Sequence, residues 1–338
     1  MQHLVNLIVF VCTSLLFTNS CSSNQPKSVS VEGEKPIRTE TSNAPDFNSD
    51  SAYVYIERQT RFGPRVPNTQ AHEECGNYLV SEMKRFGAKV IEQKAELTAY
   101  NGNKLNAKNI IAVFNENAET RVLLFAHWDS RPYADQDPNP DNHKTPILGA
   151  NNGGSGVGVL MEIARQIGMK APEAGVDIIF FDAEDYGTPH FYSDEYSEKE
   201  DTWCLGSQYW ARRPHVKDYT AKFGILLDMV GAKDALFLKE GFSVNYAGRY
   251  VEKVWRKAHD IGYGKYFVNA KGGYVTDDHL YVNRLIGIPS IDIIQYDAAT
   301  QSGFYKHWHT LNDTSEHIDK ETLKAVGQTV LEVVYDEK

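Results

Sequence analysis

The strongest constraint on this chain is a series of five short, nearly continuous apolar runs: NIIAVF (109–114), VLLFA (122–126), VDIIFF (176–181), FGILL (223–227) and PSIDII (289–294). A strand with one wet face alternates apolar and polar residues, so runs without that alternation read as strands covered on both faces. Longer stretches with helical periodicity lie among them, at Thr69–Phe86, Gly156–Ile167, Tyr250–Ile261 and Lys320–Tyr335. Strands alternating with helices of that length predict βαβ units. The expected fold is therefore a single α/β domain with a mixed, mostly parallel twisted central sheet and helices on both faces. Long polar loops at Ser130–Leu148 and Tyr186–Cys204 interrupt the plan.

The start of the chain is different in kind. Residues 1–26 carry no Lys, Arg, Asp or Glu, and Leu4–Phe17 is apolar but too short to span a bilayer comfortably. This reads as a signal peptide over residues 1–20. FTNSC resembles a bacterial lipoprotein cleavage box, which would put a lipid on Cys21 and hold the protein in the cell envelope of a Gram-negative bacterium, on the periplasmic side. An ordinary secretory signal with an incidental cysteine is the alternative. Residues 21–44, rich in Ser, Thr, Asn, Pro and Glu, read as a flexible tether to a folded domain over 45–338. Removal of the leader leaves Cys75 and Cys204 beyond the anchor, either as one disulfide or as two buried thiols. With a formal net charge of −10 and no run of Lys and Arg, a nucleic-acid surface is not expected, and membrane contact is expected only through the lipid.

Polar signatures cluster around the apolar runs. His127-Trp128-Asp129 follows VLLFA, Glu184-Asp185 follows IIFFDA, and Asp228 follows FGILL, while the loop GANNGG (149–154) leads into a helical pattern. TDDH (276–279) and WHT (308–310) come later. Singly, each has an ordinary explanation: a lone His is more often structural, and an Asp at a strand end usually caps a turn or helix. Jointly, groups that follow parallel strands converge at the carboxyl edge of an open sheet, where ligands bind. Together they offer the N and O donors that zinc prefers, with Glu184 available as a general acid and base.

In this order, HWDS, GANNGGSGVGVLMEIAR, FFDAEDYG, LLDMVGA, TDDH and WHT resemble the zinc-dependent aminopeptidase-type α/β hydrolases. More narrowly, they are similar to the glutaminyl cyclases of the animal type, which also occur in bacteria of the Bacteroides and Porphyromonas group. RFGPRVPNTQAHEECGNYL, near Arg58 where the resemblance begins, looks like the bacterial branch. The resemblance implies one Zn²⁺ per chain, held at the positions of Asn152, Asp185 and His309. It implies Glu184 as proton shuttle with Asp228 and Asp277 paired behind it. Trp308 would line the substrate pocket, and His127 and Asp129 would stand behind the ligands or at a second metal.

The implied reaction closes the N-terminal glutamine of a peptide or protein to pyroglutamate with release of ammonia, in a protein expected to be a monomer. The aromatic loop Tyr186–Tyr196 is expected to share the pocket wall with Trp308. Two positions depart from the animal pattern as aligned: Asp185 stands where those enzymes have Glu, and Asp292 where they have His. A third departure bears on chemistry. Asn152 occupies a place where a carboxylate ligand is expected, and a neutral ligand should weaken metal binding. A zinc aminopeptidase on the same fold, and a non-catalytic binder of peptide N-termini, remain the alternative readings.

Overall fold

In chain order the strands are β1 (Lys89–Thr98), β2 (Lys104–Phe114), β3 (Arg121–His127), β4 (Gly175–Phe181), β5 (Phe223–Asp228), β6 (Leu236–Lys239), β7 (Phe267–Lys271) and β8 (Ser290–Tyr296). The helices are α1 (Ser49–Arg61), α2 (Gln70–Arg85), α3 (Gly154–Met169), α4 (Leu205–Arg212), α5 (Gly241–Asp260), α6 (Asp278–Tyr281) and α7 (Lys320–Tyr335). These come from a computed structural model that describes residues 43–196 and 199–338, all within one compact unit. The expected signal peptide, Cys21 and all but the last two residues of the expected tether lie outside the described residues. No described helix is long and apolar enough to cross a membrane.

The strands form one sheet in the order β1-β2-β4-β3-β5-β8-β6-β7. The middle four, β4, β3, β5 and β8, run parallel, while the hairpin β1–β2 and the strand β6 join antiparallel. Continuous apolar runs and two covered faces are the same fact. Val122, Leu124 and Ala126 of β3 pack with α1, α3 and α7 on one face; Leu123 and Phe125 pack with Trp210 of α4 and Val282 on the other. Each buried Val, Leu or Phe among them contributes roughly 1.5–3 kcal/mol relative to exposure.

All five predicted strands are present, each shifted or extended by a few residues. β1, missed in the sequence, is an edge strand whose residues alternate between exposed and half-buried, with Lys and Glu along it, so no apolar run marks it. Helix starts follow side-chain caps: Thr69 accepts from the His72 amide before α2, and Asp319 from the Thr322 amide before α7. The helix expected from Tyr250 begins at Gly241, where the Glu240 carboxylate caps the amides of Phe242 and Ser243. Cys75 and Cys204 are both buried free thiols, which decides between the two alternatives for them.

Candidate active site

The carboxyl edge of the parallel strands carries every polar signature. His127 closes β3, Asp228 closes β5, and Glu184 and Asp185 sit in the turn after β4. Asn152 lies in the turn before α3, Asp277 is the N-cap of α6, and His309 lies between β8 and α7. The GANNGG turn is held by Asp313, whose carboxylate accepts from the amides of Asn151 (2.8 Å) and Asn152 (2.9 Å). Gly153, at φ +85°, leaves no room for a side chain, because a Cβ there would stand 2.8 Å from the Asp129 carbonyl oxygen.

Backbone strain gathers at the same edge. Ala183 (φ 53°), Cys204 (57°), Met229 (48°) and His309 (55°) all adopt left-handed conformations without being glycine. Ala183 and Met229 flank Glu184 and Asp228. Conformations of this kind cost about 1–3 kcal/mol each and persist where the surroundings over-determine them, typically at functional sites.

Asn152, Asp185 and His309 do converge. Asn152 Nδ2 donates to Asp185 Oδ2 at 2.8 Å, and His309 Nε2 faces Asp185 Oδ1 at 3.0 Å. Asn152 Oδ1 faces His127 Nε2 at 3.2 Å, and that nitrogen is also 3.4 Å from Asp228 Oδ1. The Asp129 carboxylate accepts from the amides of both Glu184 and Asp185 at 3.1 Å and lies 3.4 Å from His127 Nδ1. Asp129 therefore shapes the turn that presents the two acids. On the far side of His309, Nδ1 lies 3.2 Å from Asp135 Oδ1, within ion-pair reach, and Asp135 is gripped by both arms of Arg131.

Buried acids surround Glu184. Its Oε1 accepts a hydrogen bond from Cys204 Sγ at 3.2 Å, and Glu184, Cys204 and Asp277 offer donor atoms all within 4.8 Å of one another. Burial pushes the Glu184 carboxyl well above the usual range; the charges of Asp185, Asp277 and Asp278 add to this, against His127. Burial does the same to Asp277 and to the Cys204 thiol. Asp185 behaves oppositely: burial would raise it, but His309 and Arg131 outweigh that and hold it below the usual carboxylate range. Burial would lower His127, yet the neighbouring carboxylates of Asp129, Asp228 and Glu184 keep it well above the ordinary imidazole value.

The groups open onto a cavity of about 280 Å³ lined by Asn152, Glu184, Asp185, Asp228, Asp277 and His309, with Trp203, Phe304 and Trp308 as apolar walls. Trp308 stacks on His309 with ring centroids 3.8 Å apart. The expected wall of Tyr186–Tyr196 is corrected: no residue of that loop lines the cavity, and its rings pack on Tyr100, Tyr133 and one another instead. Trp203 takes that place. Asp277 does two jobs, capping the Asp278 amide (2.6 Å) and lining the cavity. Asp292 is fully buried, with both oxygens unpaired and the nearer one 3.8 Å from His279 Nδ1.

The residues suit a zinc ion in their chemistry. An imidazole nitrogen and a charged carboxylate face each other, and each is fixed by further polar groups, as a metal-binding His and Asp usually are. Asn152 adds an amide oxygen, neutral and turned toward His127. Asp228 Oδ1, buried beside it, makes no hydrogen bond.

A profile of peptidase family M28 matches residues 109–334, a span that contains Asn152, Asp185 and His309. The chain belongs to peptidase family M28. Among solved M28-like structures, a glutaminyl cyclase from Tannerella forsythia is 64% identical, with a TM-score of 0.85, covering 87% of this chain and 100% of its own. A Zn-dependent exopeptidase from Parabacteroides distasonis is 62% identical over the same shares, also at a TM-score of 0.85. The glutaminyl-peptide cyclotransferase of Bos taurus is 25% identical over 340 aligned positions, 91% of this chain and 86% of that protein. The zinc aminopeptidase-like fold and the kinship with glutaminyl cyclases expected from the motifs are thus both present in this M28 chain.

Several members of the site carried no signal in the sequence. Arg131, Asp135, Trp203, Cys204 and Asp313 lie in loops, with no apolar run or repeated spacing to mark them. What distinguishes Arg131 is complete burial, and burial of a residue in a polar loop depends on the packed structure.

Proposed function

We propose that this protein is a glutaminyl-peptide cyclotransferase, converting the N-terminal glutamine of peptides or proteins to pyroglutamate and releasing ammonia. The observation that carries the reading is the placement of Asp277 beside Glu184 on the floor of the cavity whose wall is Trp308. The kinship with glutaminyl cyclases supports it.

Asn152, Asp185 and His309 would hold zinc. Zinc bound there supplies a Lewis acid that polarises the γ-carbonyl and stabilises the charge developing on its oxygen. The chain's own residues do the rest. Trp203, Phe304 and Trp308 enclose the glutamine side chain folded back on its own α-amine, which makes the attack intramolecular and leaves no water to activate. That amine, with an ordinary pKa of roughly 7.7–8.0, attacks in its neutral form and sheds a proton as the new C–N bond forms. A Glu184 carboxyl whose proton affinity is raised by burial takes it at one oxygen and returns it to the departing nitrogen. Cys204 holds the other oxygen, and Asp277 and Asp228 supply the polar floor.

The test is incubation of a Gln-initiated peptide with this chain and with Asn152→Asp, alongside zinc quantification. Formation of pyroglutamate and ammonia supports the reading. Release of free glutamine assigns an aminopeptidase instead. Binding of the peptide without turnover by either protein assigns a non-catalytic binder.

We further propose that the enzyme works as a monomer on the periplasmic side of the cell envelope, held by a lipid on Cys21. The apolar Leu4–Phe17 segment, whose last residue opens FTNSC, supports the anchor. Movement of Cys21→Ser from the membrane to the soluble fraction would be the expected result.

A further inference from the structure

The cavity described above does not stop at Phe304. A second cavity of about 120 Å³ shares four of its lining residues, Tyr274, Val275, Ile294 and Phe304, so the two are separated by one layer of side chains. Its remaining walls include Leu238, Tyr296 and Gly303, and Gln295 also lines it.

Three properties mark it as a place for part of a ligand. First, two large aromatic side chains stand open to solvent at its rim, Tyr274 at 65% and Tyr296 at 39% exposure. Exposed apolar surface beside a deep polar site is a common sign of a binding region. Second, the wall is braced: Glu240, which also lines it, accepts from the Val275 amide at 3.0 Å, and the Tyr274 ring packs edge-on against Phe242 at 4.9 Å. Third, Gln295 is buried, yet its Oε1 makes no hydrogen bond. Buried carboxamides are nearly always paired, and an unpaired one in a cavity wall points to a partner that arrives with the ligand.

Resting on the cyclase reading above, we propose that this second cavity receives the side chain of the residue that follows the N-terminal glutamine. It selects an apolar or aromatic residue there, and the Gln295 carboxamide pairs with the peptide group that residue carries. Consecutive Cα atoms lie about 3.8 Å apart, a step that crosses one shared wall. In cyclisation only the first residue turns over, so the rest of the peptide has to leave the first cavity along an adjoining surface. Glu240 itself lines this cavity and stands there as an anion, since hydrogen bonds to His279 and Ser243 outweigh its burial and hold its pKa down to about 2. Its charge disfavours an acidic second residue.

The experiment compares Gln-Phe-Ala, Gln-Leu-Ala, Gln-Ala-Ala and Gln-Glu-Ala by kcat/KM for pyroglutamate formation, and by calorimetric binding to the same protein. The expected order is Phe and Leu above Ala by about tenfold, with Glu below Ala, the difference lying mainly in KM. Tyr296→Ala, which touches only the second cavity, is expected to shrink the Phe-to-Ala ratio to within about twofold. Equal kcat/KM across the series, with pyroglutamate formed throughout, overturns the subsite and leaves the cyclase reading intact. Should no peptide cyclise with this chain or with Asn152→Asp, the cyclase reading fails, and the binding series decides the cavity alone. Equal affinities for the four peptides, or a preference that survives Tyr296→Ala, would then overturn it.

Discussion

Asn152 Nδ2 donates a 2.8 Å hydrogen bond to Asp185 Oδ2, joining by an N–H two side chains that are both expected to face a metal. A carboxylate at position 152 could not make this contact. It would instead set a second negative charge against Asp185, a repulsion that a cation or a shared proton between them must offset.

The substitution Asn152→Asp should therefore act in opposite directions with and without zinc. Metal-free, the variant is expected to be less stable by about 1–3 kcal/mol, through the lost hydrogen bond and the new repulsion. With zinc its melting temperature should rise further than that of the parent, because tighter binding to the folded state adds stability by mass action. Thermal melts across a zinc titration measure both, and equal zinc-induced shifts in the two proteins would contradict the assignment.

Glu184→Gln should keep the fold and the zinc content while turnover of a Gln peptide falls by about 10²- to 10⁴-fold. The 3.2 Å contact from Cys204 to Glu184 allows a finer test. Cys204→Ala is expected to lower kcat with little change in KM, and Cys204→Ser, which keeps a donor, should recover much of it. Steady-state kinetics on the three variants would show this, and equal losses in Ala and Ser would argue against a role for the donor.

Asp278 makes stability depend on pH. Burial pushes its carboxyl from the usual value near ~3.9 up to about 7, so the folded state holds a proton that the unfolded state gives up. The contribution is fully present below the unfolded pKa and is lost as pH rises through about 7. The metal-free protein should melt at progressively lower temperature as pH is raised across that window, and Asp278→Asn should flatten the trend. An unchanged slope in the variant would remove Asp278 as its source.

Arg131 is fully buried, grips Asp135 with two hydrogen bonds and donates to the Asp185 carbonyl at 2.9 Å. Arg131→Met removes the chief counter-charge of buried Asp135, leaving it only His309 Nδ1 at 3.2 Å and the His190 amide. A loss of about 3–5 kcal/mol in urea unfolding is the expected result. Arg131→Met with Asp135→Leu should recover part of it, since replacing both members of a buried pair costs far less than removing one.

Five strands were legible because each is buried on both faces, and an apolar run is what such burial requires. β1 was not, because an edge strand with one wet side and alternating charges looks like loop or helix surface. Helix α7 was found at its observed limits, since Asp319 caps it and its apolar stripe is long. The start of α5 at Gly241 depends on Glu240, whose other partners Val275 and His279 come from a distant segment.

The sequence by itself determined the five strands covered on both faces and the groups that gather at their carboxyl edge. His127, Glu184, Asp185 and Asp228 follow directly on or just after strands, so finding the strands places them. It also determined that position 152 is neutral. Only the tertiary structure decided which partners those groups have. Asn152 turns its amide N–H to Asp185, Trp203 replaces the tyrosine loop in the wall, and Asp277 reaches Glu184 from a segment 93 residues later. Hydrophobic patterning is local and is written residue by residue along the chain. Hydrogen-bond geometry and burial inside loops depend on several segments arriving together, so they are fixed only when the chain has packed.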